Sequence, residues 1–202
     1  MSAPWIIAAA LGLLLLALVA GAFLLLAMGR LHLDLGWGRS VHQLGPIAIQ
    51  IEAPRELVFE IVAAPYLGRA SPSDIDLLAG DERLAVAIHH TQVHFYTART
   101  VELIELDPPS RVEFRHITGP VPHAVEEFTL SDLDGQSELR YEGEIGIDFF
   151  VLGRLAARHW VRPQWEGAVR RHLEDVKQGA EERAASRGER SRAGGPRNSG
   201  AG

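Results

Sequence analysis

The sequence predicts an α+β fold: a curved antiparallel sheet of about seven strands wrapped round a long C-terminal helix, with two short helices after strand 1 and one apolar helix ahead of the domain. Three observations predict it. An uncharged apolar run spans Trp5 to Met28. A series of strand-length runs follows, parted by strong turn formers. The chain then ends in an amphipathic stripe of helical period.

The elements follow in order. The run "WIIAAALGLLLLALVAGAFLLLAM" carries no charge, and at about 1.5 Å per residue it spans a hydrocarbon core of roughly 30 Å. A signal peptide has a basic n-region and an apolar stretch of about 7–15 residues. No Lys or Arg precedes this longer run, so an uncleaved anchor at residues 5–28 fits better, although Ala20-Gly21-Ala22 resembles a cleavage site. Residues 1–4 form an N-terminal tail. Residues 29–45 form a juxtamembrane linker, with Trp37 suited to the membrane–water interface. Arg30 and Arg39 follow the helix and only the terminal amine precedes it, which by the positive-inside rule puts the domain in the cytoplasm.

The folded domain is expected from Pro46 to Arg183. "PIAIQIEA" alternates Ile47, Ile49 and Ile51 as a strand. Pro54 opens a helix whose apolar face holds Leu57, Val58, Ile61 and Val62; Pro65 breaks it, and "YLGRASP" suggests a second short helix. Six strand-like runs follow, turning at Gly80-Asp81, Asp107-Pro108-Pro109, Gly119-Pro120-Val121-Pro122 and Asp134-Gly135. After Pro163, Trp165, Val169, Leu173, Val176 and Ala180 make one stripe on a long helix. Hairpins interrupted by one early helical pair do not make a doubly wound fold; they make a bent sheet with the final helix across its concave face. Residues 184–202, rich in Gly, Ser and Arg, bury no core and are expected to be disordered.

Composition excludes several function classes. Without cysteine there are no disulfides, thiolate nucleophiles or Cys-ligated zinc. A formal charge of −6 argues against a nucleic-acid partner. No Gly-x-Ser-x-Gly elbow is present. In "HHTQVH", His90 and His94 on one side of a strand stand about 13 Å apart, too far to share an ion with bonds near 2.1 Å. No metal is expected.

The segments "IEAPRELVFEIVAAPYL", "VELIELDPPSRVEF" and "GRLAARHWVRPQWEGAVRRHLEDV" together resemble the START/polyketide-cyclase superfamily, the helix-grip fold often labelled SRPBCC. The likeness covers Pro46 to Arg183. It implies a cavity between sheet and final helix. It transfers no catalytic residue, because lipid carriers, hormone receptors and aromatase/cyclases share the fold without a common catalytic signature; no cofactor is expected.

Alternation along the strands supplies candidates for that cavity. Phe114 and His116 share one face of "RVEFRHIT"; Glu126 and Phe128 share one face of "HAVEEFTL"; Tyr141 faces inward from "ELRYEGEI". Arg99 is assigned inward with Val101 and Leu103, and Trp160 and Trp165 lie on the closing helix. Buried ionisable groups need partners or water, and an apolar pocket with a few convergent polar groups is what small-ligand sites look like. The sequence therefore points first to a membrane-anchored module that binds a hydrophobic small molecule: a lipid, isoprenoid or polyketide-like compound. The alternative is a cyclase/aromatase-like enzyme with Glu126 or His116 as general acid/base. Partners are that molecule and the bilayer through residues 5–28. Neither the ligand nor the oligomeric state is legible.

Overall fold

A computed structural model describes residues 3–93 and 96–193. His94 and Phe95, and the last part of the tail expected to be disordered, lie outside the described residues. The elements are α1 (Ala3–Ala27), β1 (Ser40–Ile51), α2 (Arg55–Ala63), β2 (Ile75–Gly80), β3 (Leu84–Val93), β4 (Tyr96–Asp107), β5 (Arg111–Thr118), β6 (His123–Leu133), β7 (Gln136–Ile147), α3 (Phe150–Ala156), a π-helical turn (Ala157–Val161) and α4 (Arg162–Ala193). The sheet is wholly antiparallel, in the order β1-β7-β6-β5-β4-β3-β2.

The expected α+β arrangement of seven strands and a long closing helix is present. Val169, Leu173, Val176 and Ala180 of α4 are buried in one cluster with Leu57, Val58 and Val62 of α2. Ile51, Ile104, Val112, Leu139 and Ile145 fill the same cluster from the sheet. Burial of this continuous apolar layer is what joins the elements. α1 is long and apolar enough to cross a membrane, and its apolar stretch is not buried against the domain.

Three boundaries differ from the expectation. β1 begins at Ser40 rather than Pro46, so the last part of the expected linker belongs to the sheet. Pro46 is tolerated there because the pairing with β7 shifts register between Leu44 and Ile47, and β1 has a neighbour on one side only. The second short helix is instead a run of turns closed by Tyr66 N–H to Ala63 O and Gly68 N–H to Pro65 O. α4 continues past Arg183 to Ala193. Ala, Glu and Arg in that stretch are good helix formers, and Ala184 still packs against the core.

Candidate functional site

The candidate site lies where the β5–β6 ladder ends. Paired positions run from Arg111↔Thr129 to Arg115↔Val125 and stop there. The next inward residue on β5 is His116, whose side chain is 3% exposed. Its Nε2 stands 3.0 Å from Glu102 Oε1 and 3.6 Å from Glu126 Oε2. The ring is thus pinched between two carboxyl groups, without the alignment of a directed hydrogen bond at either ring nitrogen. It holds as an ion pair.

Each carboxyl has its own supports. Glu102, itself 4% exposed, accepts from Thr100 Oγ1 at 2.6 Å and meets His89 Nδ1 at 2.9 Å. His89 Nε2 in turn lies 3.1 Å from the Tyr66 hydroxyl. A carboxylate only accepts, so the geometry puts a proton on His89 Nδ1, facing Glu102. On the other side, Glu126 Oε1 accepts from the Tyr141 hydroxyl and from Trp165 Nε1, both at 2.7 Å. Gly143 stands opposite Glu126 on β7. A Cβ there would sit 2.8 Å from Val125 O and 3.2 Å from the Tyr141 hydroxyl oxygen. Trp165, on the first turn of α4, also lies over His116, with ring centroids 5.3 Å apart.

The electrostatics follow from this crowding. Burial pulls the His116 imidazole down, but Glu102 and then Glu126 outweigh it and hold the ring at about 10, so it is cationic at neutral pH. Burial raises Glu102, and its pairing with His116 and His89 brings it down below the usual carboxylate range. Burial, and then Glu126, push the Tyr141 hydroxyl far above the usual tyrosine value. Burial first, then Glu102, does the same to Tyr66. Chemically the cluster is a cationic acid between two carboxyl groups, with phenol and indole donors at one edge.

Of the residues read from the sequence, His116, Glu126, Tyr141 and Trp165 come together. Phe114 and Phe128 lie beneath them, buried, and stack edge-on at 5.6 Å. Arg99 does not join. The buried positions of β4 are Ala98, Thr100, Glu102, Ile104 and Leu106, so Arg99, Val101 and Leu103 take the opposite phase. Arg99 instead lines a cleft of about 460 Å³ with Leu24, Met28 and Arg30 at the end of α1 and with Gln92, Tyr96 and Thr97. Trp160 is 37% exposed and stacks on Phe23 of α1, away from the cluster.

Glu102, His89, Thr100 and Tyr66 were missed. The stretch Val101–Leu106 has apolar residues in both phases, and only counting outward from the Asp107-Pro108-Pro109 turn settles it. That count pairs Leu106 with Val112, Ile104 with Phe114 and Glu102 with His116. Open room between sheet and α4 was also expected, but aromatic rings occupy it. Tyr66, Phe114, Phe128 and Tyr141 succeed one another at 5.4, 5.6 and 5.2 Å, each buried. His90 pairs outward with Asp76.

No protein-family model matches the chain, and no curated protein does. Solved structures do resemble it. The di-domain ARO/CYC BexL from the BE-7585A biosynthetic pathway is 21% identical with a TM-score of 0.59, over 71% of this chain and 50% of that one. TTHA0849 from Thermus thermophilus is 17% identical with a TM-score of 0.55, over 72% and 98%. Norcoclaurine synthase from Thalictrum flavum is 9% identical with a TM-score of 0.53, over 74% and 92%. The fold is the helix grip. This chain spans half the length of BexL, and at such identities the likeness carries the helix-grip fold alone.

Proposed function

We propose that this chain is a membrane-anchored helix-grip domain that holds a hydrophobic small molecule (lipid, isoprenoid or polyketide-like) with a polar end against His116 and Glu126. The observation that carries this is the buried cationic ring between two carboxyl groups, covered at one edge by a single indole. Burying charges costs several kcal/mol per ion and seldom adds net stability over an apolar core. A cluster of buried ionisable groups with perturbed titration and specific charge partners is a functional-site candidate. The aromatic layer beneath supplies an oily wall. A guest enters by displacing Trp165, and its hydroxyl then takes the indole's place as donor to Glu126 Oε1, beside the cationic His116 ring. α1 anchors the domain beside the bilayer that supplies such guests, with the domain on the cytoplasmic side as Arg30 and Arg39 indicate.

The test is mass spectrometry of lipids retained by the detergent-solubilised full chain. A hydrophobic compound present at a fixed ratio, and lost in the Glu126→Leu variant, is the expected result. Absence of any retained compound, with no ligand shifting the fluorescence of a variant whose only tryptophan is Trp165, would falsify the proposal.

One observation favours a second reading, an enzyme of the cyclase/aromatase kind. His116 can give a proton and Glu126 can take one, within 3.6 Å of each other. BexL is by its name an ARO/CYC, and norcoclaurine synthase is by its name a synthase. Here Glu126→Gln abolishes turnover of a polyketide-like substrate while leaving binding nearly intact. If wild type turns over no such substrate, the enzyme reading falls and the binding reading stands.

A further inference from the structure

Outside α1, the longest run of consecutive exposed large apolar side chains, Phe149 to Leu152, forms one corner of the domain. Phe149, Phe150, Val151, Leu152 and Leu155 are between 42% and 75% exposed, and Trp37 is 62% exposed against them. Trp37 and Phe150 meet edge-on at 5.5 Å. Contiguous exposed patches of this kind mark interaction surfaces.

The corner is held in place. Phe149 N–H donates to Trp37 O at 2.8 Å and Phe150 N–H to Gly38 O at 3.0 Å. Both phenylalanines sit at positive φ, 76° and 51°, which side-chain-bearing residues seldom adopt unless their surroundings enforce it. Beside them Asp148, 2% exposed, accepts from the backbone of Leu35 and Gly36 at 3.0 Å each and from Arg39 Nε at 2.8 Å. Hydrogen bonding to Arg39 holds its carboxyl below the usual range. The linker is thereby fastened to the end of β7, and the rings are fixed facing outward.

What covers the corner follows from α1. Phe23 stacks on Trp160, with centroids 5.1 Å apart and planes 21° apart. Phe23 lies one turn before the end of α1, so Trp160 stands about 6 Å along the helix from its end. A domain side chain beside the last turn of a membrane span sits at the interface, where tryptophan is favoured. Arg30 lies three residues past α1, and Arg154 and Arg158 lie on the helical run that carries Trp160; all three are exposed, and no ion pair to them is present among the described residues. Unpaired guanidinium groups suit anionic headgroups.

We infer that α3 and the Phe149 corner, with Trp37 and Trp160, dock on the lipid bilayer beside α1, so that the domain is held at two places. This rests on α1 spanning the membrane. It also bears on the site: Trp165 lies five residues beyond Trp160 on the same helical run, about 8 Å along it. Docking therefore brings the covering indole close to the lipid that a guest leaves.

The chain has no cysteine, so single-cysteine variants of the full chain carry an environment-sensitive fluorophore at one site each. Leu152→Cys reports the corner, Leu14→Cys reports α1, and Asp132→Cys in the β6–β7 hairpin reports water. Each is reconstituted in vesicles of phosphatidylcholine and phosphatidylglycerol whose acyl chains carry bromine. The expected result is a blue-shifted label at residue 152, quenched by bromine several-fold more than the label at residue 132. Quenching at residue 14 but not at residue 152 overturns the docking and leaves the anchor intact. No quenching at either removes both. Shielding at residue 152 that grows with protein density and ignores bromine assigns the corner to a second copy, and also overturns the inference.

Discussion

Glu102→Gln should be among the most damaging isosteric changes in the domain. The Glu102 carboxylate is 3.0 Å from His116 Nε2 and 2.9 Å from His89 Nδ1, and it is nearly inaccessible to water. Glutamine keeps the volume and an acceptor for Thr100 but removes the charge. His116 must then stay cationic with Glu126 alone, at 3.6 Å, or lose its proton. The ring is held at about 10, so at pH 7 the charged form is favoured by roughly three decades, or about 4 kcal/mol at about 1.4 kcal/mol each. Breaking a buried pair from one side costs about 3–5 kcal/mol in other proteins. We expect a loss of about 3–4 kcal/mol in the urea-unfolding free energy at pH 7, followed through tryptophan fluorescence in detergent. The sign of the pH dependence gives a second check. His116 is raised from 6.5 in the unfolded chain, so its contribution is full below that value and falls as pH rises toward 10, at about 1.4 kcal/mol per unit. Glu102 is lowered, so its contribution is present above the usual carboxylate range and fades in acid. The variant should lose the alkaline slope. A cost under about 1 kcal/mol with the slope unchanged would refute the ion-pair reasoning.

Two further outcomes are expected. Replacing a helical glycine by alanine usually gains up to about 1 kcal/mol, but a Cβ on Gly153 would lie 1.9 Å from Asp148 O; Gly153→Ala should instead cost about 1–3 kcal/mol in urea unfolding, and a gain would show that α3 shifts freely. Trp165→Phe removes one of two donors to Glu126 Oε1, so a hydrophobic guest meets less competition and should bind about fivefold more tightly, the equivalent of about 1 kcal/mol; weaker binding by titration calorimetry would mean that the indole holds the guest rather than the closed state.

Much of the site was legible because inward alternation is a local property. His116 follows Val112 and Phe114 in step, and Glu126 precedes Phe128 and Leu130 in step, so their faces could be read from neighbours two residues away. Arg99 shows where that logic stops. Val101, Leu103, Ile104 and Leu106 supply apolar residues to both phases of β4, and the wrong phase sends Arg99 inward and Glu102 outward. The pairing with β5, counted back from the Asp107-Pro108-Pro109 turn, decides it. Pro46 misled for a related reason: a proline reads as the end of a linker unless the strand is known to lie at an edge and to shift register there.

The sequence by itself determined most of the strands and helices, though not the start of β1, the turns after α2 or the end of α4, since hydrophobic period and turn chemistry act over a few residues. It also determined that ionisable groups would point inward. Only the tertiary structure decided which of them meet. Two carboxyl groups from β4 and β6 converge on one imidazole from β5, and a tryptophan from α4, 39 residues from Glu126 in sequence, covers them. Their distances depend on cross-strand register and on where the ladder parts, and those are set by packing the whole sheet against α4.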